Sequence, residues 1–107
     1  MTKSEVIFIL DKHIDALKEL MKEVHELQEN FKKYGYRGES SVNNCLDLSL
    51  TIQSRMREIA SRKKRISSIS DEELASIDLQ TVVDKACDAV EGCRKTCVSL
   101  RRRFDWI

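Results

Sequence analysis

Residues Ser4–Lys33 read SEVIFILDKHIDALKELMKEVHELQENFKK, and the spacing within them decides the fold class. Ile7, Leu10, Ile14, Leu17, Met21, Val24 and Phe31 recur at intervals of three and four, with Gln28 as the one polar interruption. That is the period of an α-helix with one apolar side. Val6, Leu20 and Leu27 add a second row beside the first. A two-stranded coiled coil needs only one narrow seam, whereas a stripe this wide contacts two neighbours. The opposite face carries Lys12, Asp15, Lys18, Glu19, Lys22, Glu26 and Glu29, a solvated surface. Thr2 and Glu5 stand at capping-box spacing, with Ser4 as a competing cap, so the helix is expected from about Ser4 to about Lys33.

The stretch Tyr34–Ser41, YGYRGESS, holds two of the three glycines in the chain. It predicts a loop in which Gly35 ends the first helix and Ser40 or Ser41 caps the next. A second helix is expected over Val42–Ser67, with Cys45, Ile52, Ile59 and Ile66 in one row and Val42, Ser49, Met56 and Lys63 in another. Leu46, Leu48 and Leu50 flank these rows. The serines Ser67, Ser68 and Ser70 break the pattern, and Ser70-Asp71-Glu72-Glu73 forms a second capping box, with acids where the helix dipole favours them. Asp78 is placed to cap a third helix over Leu79–Asp105, whose seam runs Leu79, Val83, Ala86, Val90, Cys93, Cys97, Leu100, Phe104 and Ile107. Gly92 interrupts this helix at a cost of roughly 1 kcal/mol against alanine unless it serves close helix approach.

Short connections set sequential helices antiparallel. The expected architecture is therefore all-α, an antiparallel up-down-up three-helix bundle. The alternative is a four-helix bundle, reached by a short extra helix at Asp71–Ser76 or by pairing of two chains. The 107 residues suit one domain, and three glycines with no proline argue against a turn-rich β fold. No apolar run approaches the ~18 residues of a membrane span. Val6–Leu10 is too short for a secretory signal core, so a cytoplasmic location with reduced cysteines is expected. The apolar end Phe104-Asp105-Trp106-Ile107 either folds back on the bundle or continues a helix, the latter making this the N-terminal domain of a larger protein.

The formal net charge of +1 conceals four blocks. Residues 1–30 sum to −3, residues 31–70 to +6, residues 71–92 to −6 and residues 93–107 to +4. The simplest reading is that acidic and basic helices complement each other within one bundle. The near-neutral total counts against a nucleic-acid-binding domain, which is normally basic overall.

Catalytic chemistry finds no foothold. Cys93 and Cys97 are four apart, a spacing open to two metal ligands, but both fall in the apolar seam, where cysteine behaves as a small hydrophobe. His13 and His25 lack the partner spacing of zinc-protease or di-metal carboxylate helices. No Gly-x-Ser-x-Gly turn and no glycine-rich phosphate loop occurs. The sequence therefore predicts no enzyme, no cofactor and no metal site.

Candidate recognition residues fall in two places. The up-down-up topology brings the end of helix 1, the start of helix 2 and the end of helix 3 to one pole. There it gathers Tyr34, Tyr36, Arg37, Arg101, Arg102, Arg103 and Trp106 beside Phe31 and Phe104, and Trp, Tyr and Arg dominate binding hot spots. At the other end Val6-Ile7-Phe8-Ile9-Leu10 is apolar on every side of the helix, so Phe8 and Ile9 are left for the Ile66–Ile77 connector, a dimer partner or another protein. A further basic run, Arg62–Arg65, wraps around helix 2, where cations suit the helix C-terminus. The expected function is a protein–protein interaction or assembly module acting through helix packing, by self-association or with another protein. The alternative is nucleic-acid binding at the basic and aromatic pole, with Tyr36 or Trp106 stacking on unpaired bases.

Overall fold

The computed structural model describes residues 1–34 and 38–105. Three long helices, α1 (Lys3–Tyr34), α2 (Gly38–Ser68) and α4 (Leu79–Asp105), pack as an up-down-up bundle, with a single-turn helix α3 (Asp71–Leu74) between the last two. No strand occurs among the described residues. The molecule is a rod with extents of 57 × 18 × 16 Å. The long helices follow the apolar period, and their caps follow local chemistry. The Thr2 hydroxyl accepts the Glu5 amide at 3.2 Å, and the Ser70 hydroxyl accepts the Glu73 amide at 3.2 Å. Asp78 accepts the Thr81 amide at 3.2 Å and the Thr81 hydroxyl at 2.7 Å. Each satisfies an amide that the first helical turn otherwise leaves unpaired.

The expected loop over Tyr34–Ser41 is shorter than its composition implies. Helix α1 runs through Tyr34 and α2 already begins at Gly38, so Ser40 and Ser41 are helical residues and not caps. Ser41 is buried. Docking of this extra turn on α1 outweighs the weak helix propensity of serine, because packing of an apolar face rather than propensity stabilises most protein helices. Gly35, Tyr36 and Arg37 lie outside the described residues, as do Trp106 and Ile107.

One continuous core runs the length of the rod. Helix α1 contributes Val6, Leu10, Leu17, Leu20, Val24, Leu27 and Phe31, all buried. The row beginning at Val6 therefore lies inside, whereas Ile7, Ile14 and Met21 pack at its edge, half-buried. The reason is that α1 faces two helices at once, so its most buried line falls between the two apolar rows. Helix α2 inserts Cys45, Leu48, Ile52, Ile59 and Ile66, while Leu46 and Leu50 are exposed. Helix α4 inserts Val82, Ala86, Val90, Cys93, Cys97 and Leu100. Near the start of α1 the Lys3 ammonium donates to the Ile69 carbonyl at 2.7 Å, tying the α2–α3 connector to the first helix. Leu74 at the end of α3 and Ile77 between α3 and α4 pack against the core.

Among the described residues the charge blocks meet in ion pairs only at α1, where the acidic first block pairs once with each of the two basic blocks. Among the described residues the ion pairs Lys22–Glu19, Lys32–Glu29, Arg55–Glu58 and Arg94–Glu91 each join residues three apart on one helix. Only Lys63–Asp11 at 2.6 Å and Arg101–Glu23 at 3.8 Å join two helices, and both run to α1. No ion pair among the described residues links α2 to α4, although these helices are neighbours.

Candidate functional site

Three of the aromatics expected at one pole, Phe31, Tyr34 and Phe104, come together. Phe31 is fully buried, and its ring meets Phe104 edge to face, with centroids 5.4 Å apart and planes at 87°. This is the geometry the aromatic quadrupoles favour, and it closes the end of the core. Tyr34 stacks outward from Phe104 at 6.3 Å and stays 56% exposed, with the Lys33 ammonium 5.4 Å above its ring. The three arginines do not share one face. Arg101 approaches Glu23 on α1, Arg102 is exposed, and Arg103 lines the space between α4 and α2. Tyr36, Arg37 and Trp106 lie outside the described residues. At the other pole Phe8 is 61% exposed with the Lys12 ammonium 5.2 Å over its ring, and Ile9 is half-buried.

The cysteines are free, with Cys45, Cys93 and Cys97 buried and Cys87 exposed. Burial pushes all three buried thiols above the ordinary range. Cys97 is raised further by the Glu23 carboxylate, to which its thiol donates at 3.8 Å, and Arg101 acts in the opposite direction. Cys45 is raised further by Cys97 and lowered by Arg103, both in the last turns of α4. Thiols held protonated in this way are poor nucleophiles. Among the described residues no three metal-ligating side chains converge. His25 is exposed, and its Nε2 lies 3.4 Å from the Ser49 hydroxyl, which also donates to the Met21 sulfur at 3.1 Å.

A groove runs between α2 and α4. Its upper part, about 700 Å³, has Leu48, Cys93 and Leu100 at its base. Small residues line part of it, Thr51 on α2 and Ala89, Gly92, Thr96 and Ser99 on α4, beside charged ones: Asp47, Arg55 and Glu58 on α2, and Lys85, Asp88 and Arg103 on α4. A methyl group built on Gly92 meets nothing within 4 Å, so this glycine does not serve close approach between helices of the bundle. Its lower part, about 620 Å³, has Ile66, Ile77 and Val82 against three arginines, Arg57, Arg62 and Arg65. None of these three takes part in an ion pair among the described residues. The run Arg62–Arg65 is thus divided by the helix: Lys63 turns to Asp11 on α1, while Arg62 and Arg65 line the groove.

Reading the sequence alone misses this groove. The signal that pointed to it is the spacing of Ala89, Gly92, Thr96 and Ser99, a small-residue line on α4 opposite the polar α2 residues Asn44, Asp47 and Thr51. Comparison with protein-family models, with curated proteins and with solved structures finds no match. Among the described residues no helix is long and apolar enough to cross a membrane.

Proposed function

We propose that this chain is a non-enzymatic protein–protein interaction or assembly module that works by helix packing, with the α2–α4 groove as its main surface. The observation that carries the reading is the groove itself. Between α2 and α4, which pack on each other and on α1, runs a trough with an apolar base, a run of small residues on α4 and charged side chains along its sides. Small side chains let a further helix approach closely, and a mostly apolar trough with a polar rim is the common form of a recognition surface. Exposed Leu46 and Leu50 on α2, and Phe8 near the rod's end, add apolar area outside it.

The test is photo-crosslinking in the cells that express the protein, with p-benzoylphenylalanine placed at Thr51 or Ser99 on the groove and at Lys18 on the solvated face of α1. Discrete protein adducts are expected from the two groove positions and not from Lys18. Equal, diffuse labelling from all three positions overturns the reading. A second arm titrates labelled single- and double-stranded oligonucleotides at low and moderate salt, beside an Arg101→Ala/Arg102→Ala/Arg103→Ala variant. Absence of binding at low salt is expected. Salt-sensitive binding lost in the variant would transfer the function to the arginine pole and to nucleic acid.

A further inference from the structure

The α2 residues on the lower part of the groove fall in two rows of residues four apart. Ser54, Glu58, Arg62 and Ile66 form one, and Arg57, Ser61 and Arg65 the other. Rows at this spacing are the ridges by which helices pack, and the furrow between two of them takes a ridge of another helix. The charge along this furrow is mostly of one sign. Arg57, Arg62 and Arg65 are exposed and in no ion pair among the described residues. Glu58, the acid lining the lower part, accepts a hydrogen bond from Arg55 at 2.9 Å and is balanced within its own helix. From α4, Lys85 lines the space beside Glu58 and Arg62. Asp88 of α4 lines the upper part of the groove and not the lower. The apolar lining is Ile77, half-buried, with the buried Ile66 and Val82.

We infer that the lower groove docks an acidic amphipathic helix of another protein. Its carboxylates, four residues apart, reach Arg57, Arg62 and Arg65, and its adjoining apolar row covers Ile77. The inference rests on the interaction-module reading and names the chemistry of the partner. Arg57 and Arg65 stand eight residues apart, about 12 Å along α2. Glutamates at every fourth position of a partner helix stand about 6 Å apart, so three of them span the same length. Each guanidinium presents a planar fork that matches a carboxylate with two parallel hydrogen bonds. Phosphate fits the same fork, but a nucleic acid or an anionic membrane carries its charge past the groove. There it meets Asp71, Glu72, Glu73, Asp78 and Asp84, exposed on the segment that also supplies Ile77 and Val82. Asp47 and Asp88 line the continuation of the groove. A partner whose anions are confined to one helix face sets them at the arginines alone. A neutral or basic helix in the same place covers three guanidiniums without pairing them, which is costly. Complementarity of this kind fixes register and suppresses wrong partners.

Fluorescence anisotropy with the full chain tests the proposal. The probe is a labelled helical peptide with glutamate at every fourth position and leucine on the adjoining row. It is expected to bind at low salt and to weaken roughly tenfold or more at moderate salt, as screened charge pairs do. Replacing its glutamates by glutamine, or its leucines by serine, is expected to weaken binding roughly tenfold or more. The protein variant Arg57→Glu/Arg62→Glu/Arg65→Glu is expected to lose the acidic peptide and to bind one with lysines in place of the glutamates. Lys12→Glu/Lys18→Glu/Lys22→Glu, on the solvated face of α1, changes the net charge equally and is expected to bind the acidic peptide as wild type does. All six positions are exposed helical residues, and circular dichroism confirms that both variants remain helical. An acidic peptide that does not bind wild type at low salt overturns the proposal. So does binding that survives reversal of the groove arginines, or that falls equally in both variants. Binding of a labelled single-stranded oligonucleotide or of phosphatidylserine vesicles in place of the peptide, lost with the groove arginines, assigns them to phosphate and also overturns it. Discrete crosslinks from Thr51 or Ser99 to other proteins, with no binding of the peptide, refute the acidic helix while leaving the interaction module standing. Loss of both removes both.

Discussion

Asp78 shows how much a single side chain contributes to the layout of this molecule. It stops the connector and starts α4 by accepting two hydrogen bonds from Thr81 and one, through its backbone carbonyl, from Val82 at 3.3 Å. The hydrogen bond from the Thr81 hydroxyl, then that from its amide, holds the Asp78 carboxyl below the ordinary carboxylate range. A carboxyl whose folded pKa is depressed adds stability above its unfolded pKa, and that contribution is lost as pH falls through the folded value. Between roughly pH 5 and pH 2, wild type should therefore lose more thermal stability than Asp78→Asn, which retains a capping oxygen but does not titrate. Parallel melting-temperature profiles for the two proteins would show that the carboxylate contributes nothing. This cap was legible in the sequence, as were Thr2 and Ser70, because capping depends on residues within one turn of each other. Ser40 and Ser41 carried the same local signature and were misleading, since the docking of α2 on α1 extends the helix past them to Gly38.

Helix α2 shows where local signals stop. Leu46, Leu48 and Leu50 stand two apart and so point to different sides of one helix, and nothing in their spacing says which side is inward. The structure resolves it: Leu48 is 4% exposed, whereas Leu50 is 54% exposed. Leu48→Ala is therefore expected to destabilise the protein by about 2–5 kcal/mol, the range for emptying a packed leucine site. Leu50→Ala should fall within about 0.5 kcal/mol of wild type, as surface changes do. Urea unfolding of both variants at a concentration below any self-association checks the pair, and equal losses would reject the rotation of α2 described here. The fold class and the limits of α1 and α4 could be read from the apolar period to within a residue or two. The rotation of each helix about its axis could not. It depends on two neighbours at once, which is also why the innermost line of α1 passes through Val6 and Leu20 rather than through Ile7 and Ile14.

At the scale of the whole molecule, the groove is a property of three helices together, set by how α2 and α4 pack on each other and on α1. The aromatic pole could be anticipated from topology, but the groove could not, because no stretch of sequence encodes a distance between two helices. Its centre offers a test in which stability and association move in opposite directions. Gly92 lies inside α4 with open space beside it, and glycine in a helix interior costs roughly 0.5–1 kcal/mol against residues such as alanine or leucine. Both Gly92→Ala and Gly92→Leu should therefore raise the melting temperature of the dilute monomer by a few degrees. In a complex with a helix packed along the groove, the same position faces the incoming helix. A leucine there overfills the interface, and overpacking by several methylenes costs about 1–3 kcal/mol, equivalent to a roughly tenfold or greater loss of affinity. Gly92→Ala adds one methyl and should associate close to wild type. Thermal unfolding of dilute samples and the yield of photo-crosslinks from Thr51 separate the two effects. A Gly92→Leu protein that is more stable yet crosslinks as well as wild type would place the interaction surface away from the groove. One that is more stable and loses the crosslinks would place it there.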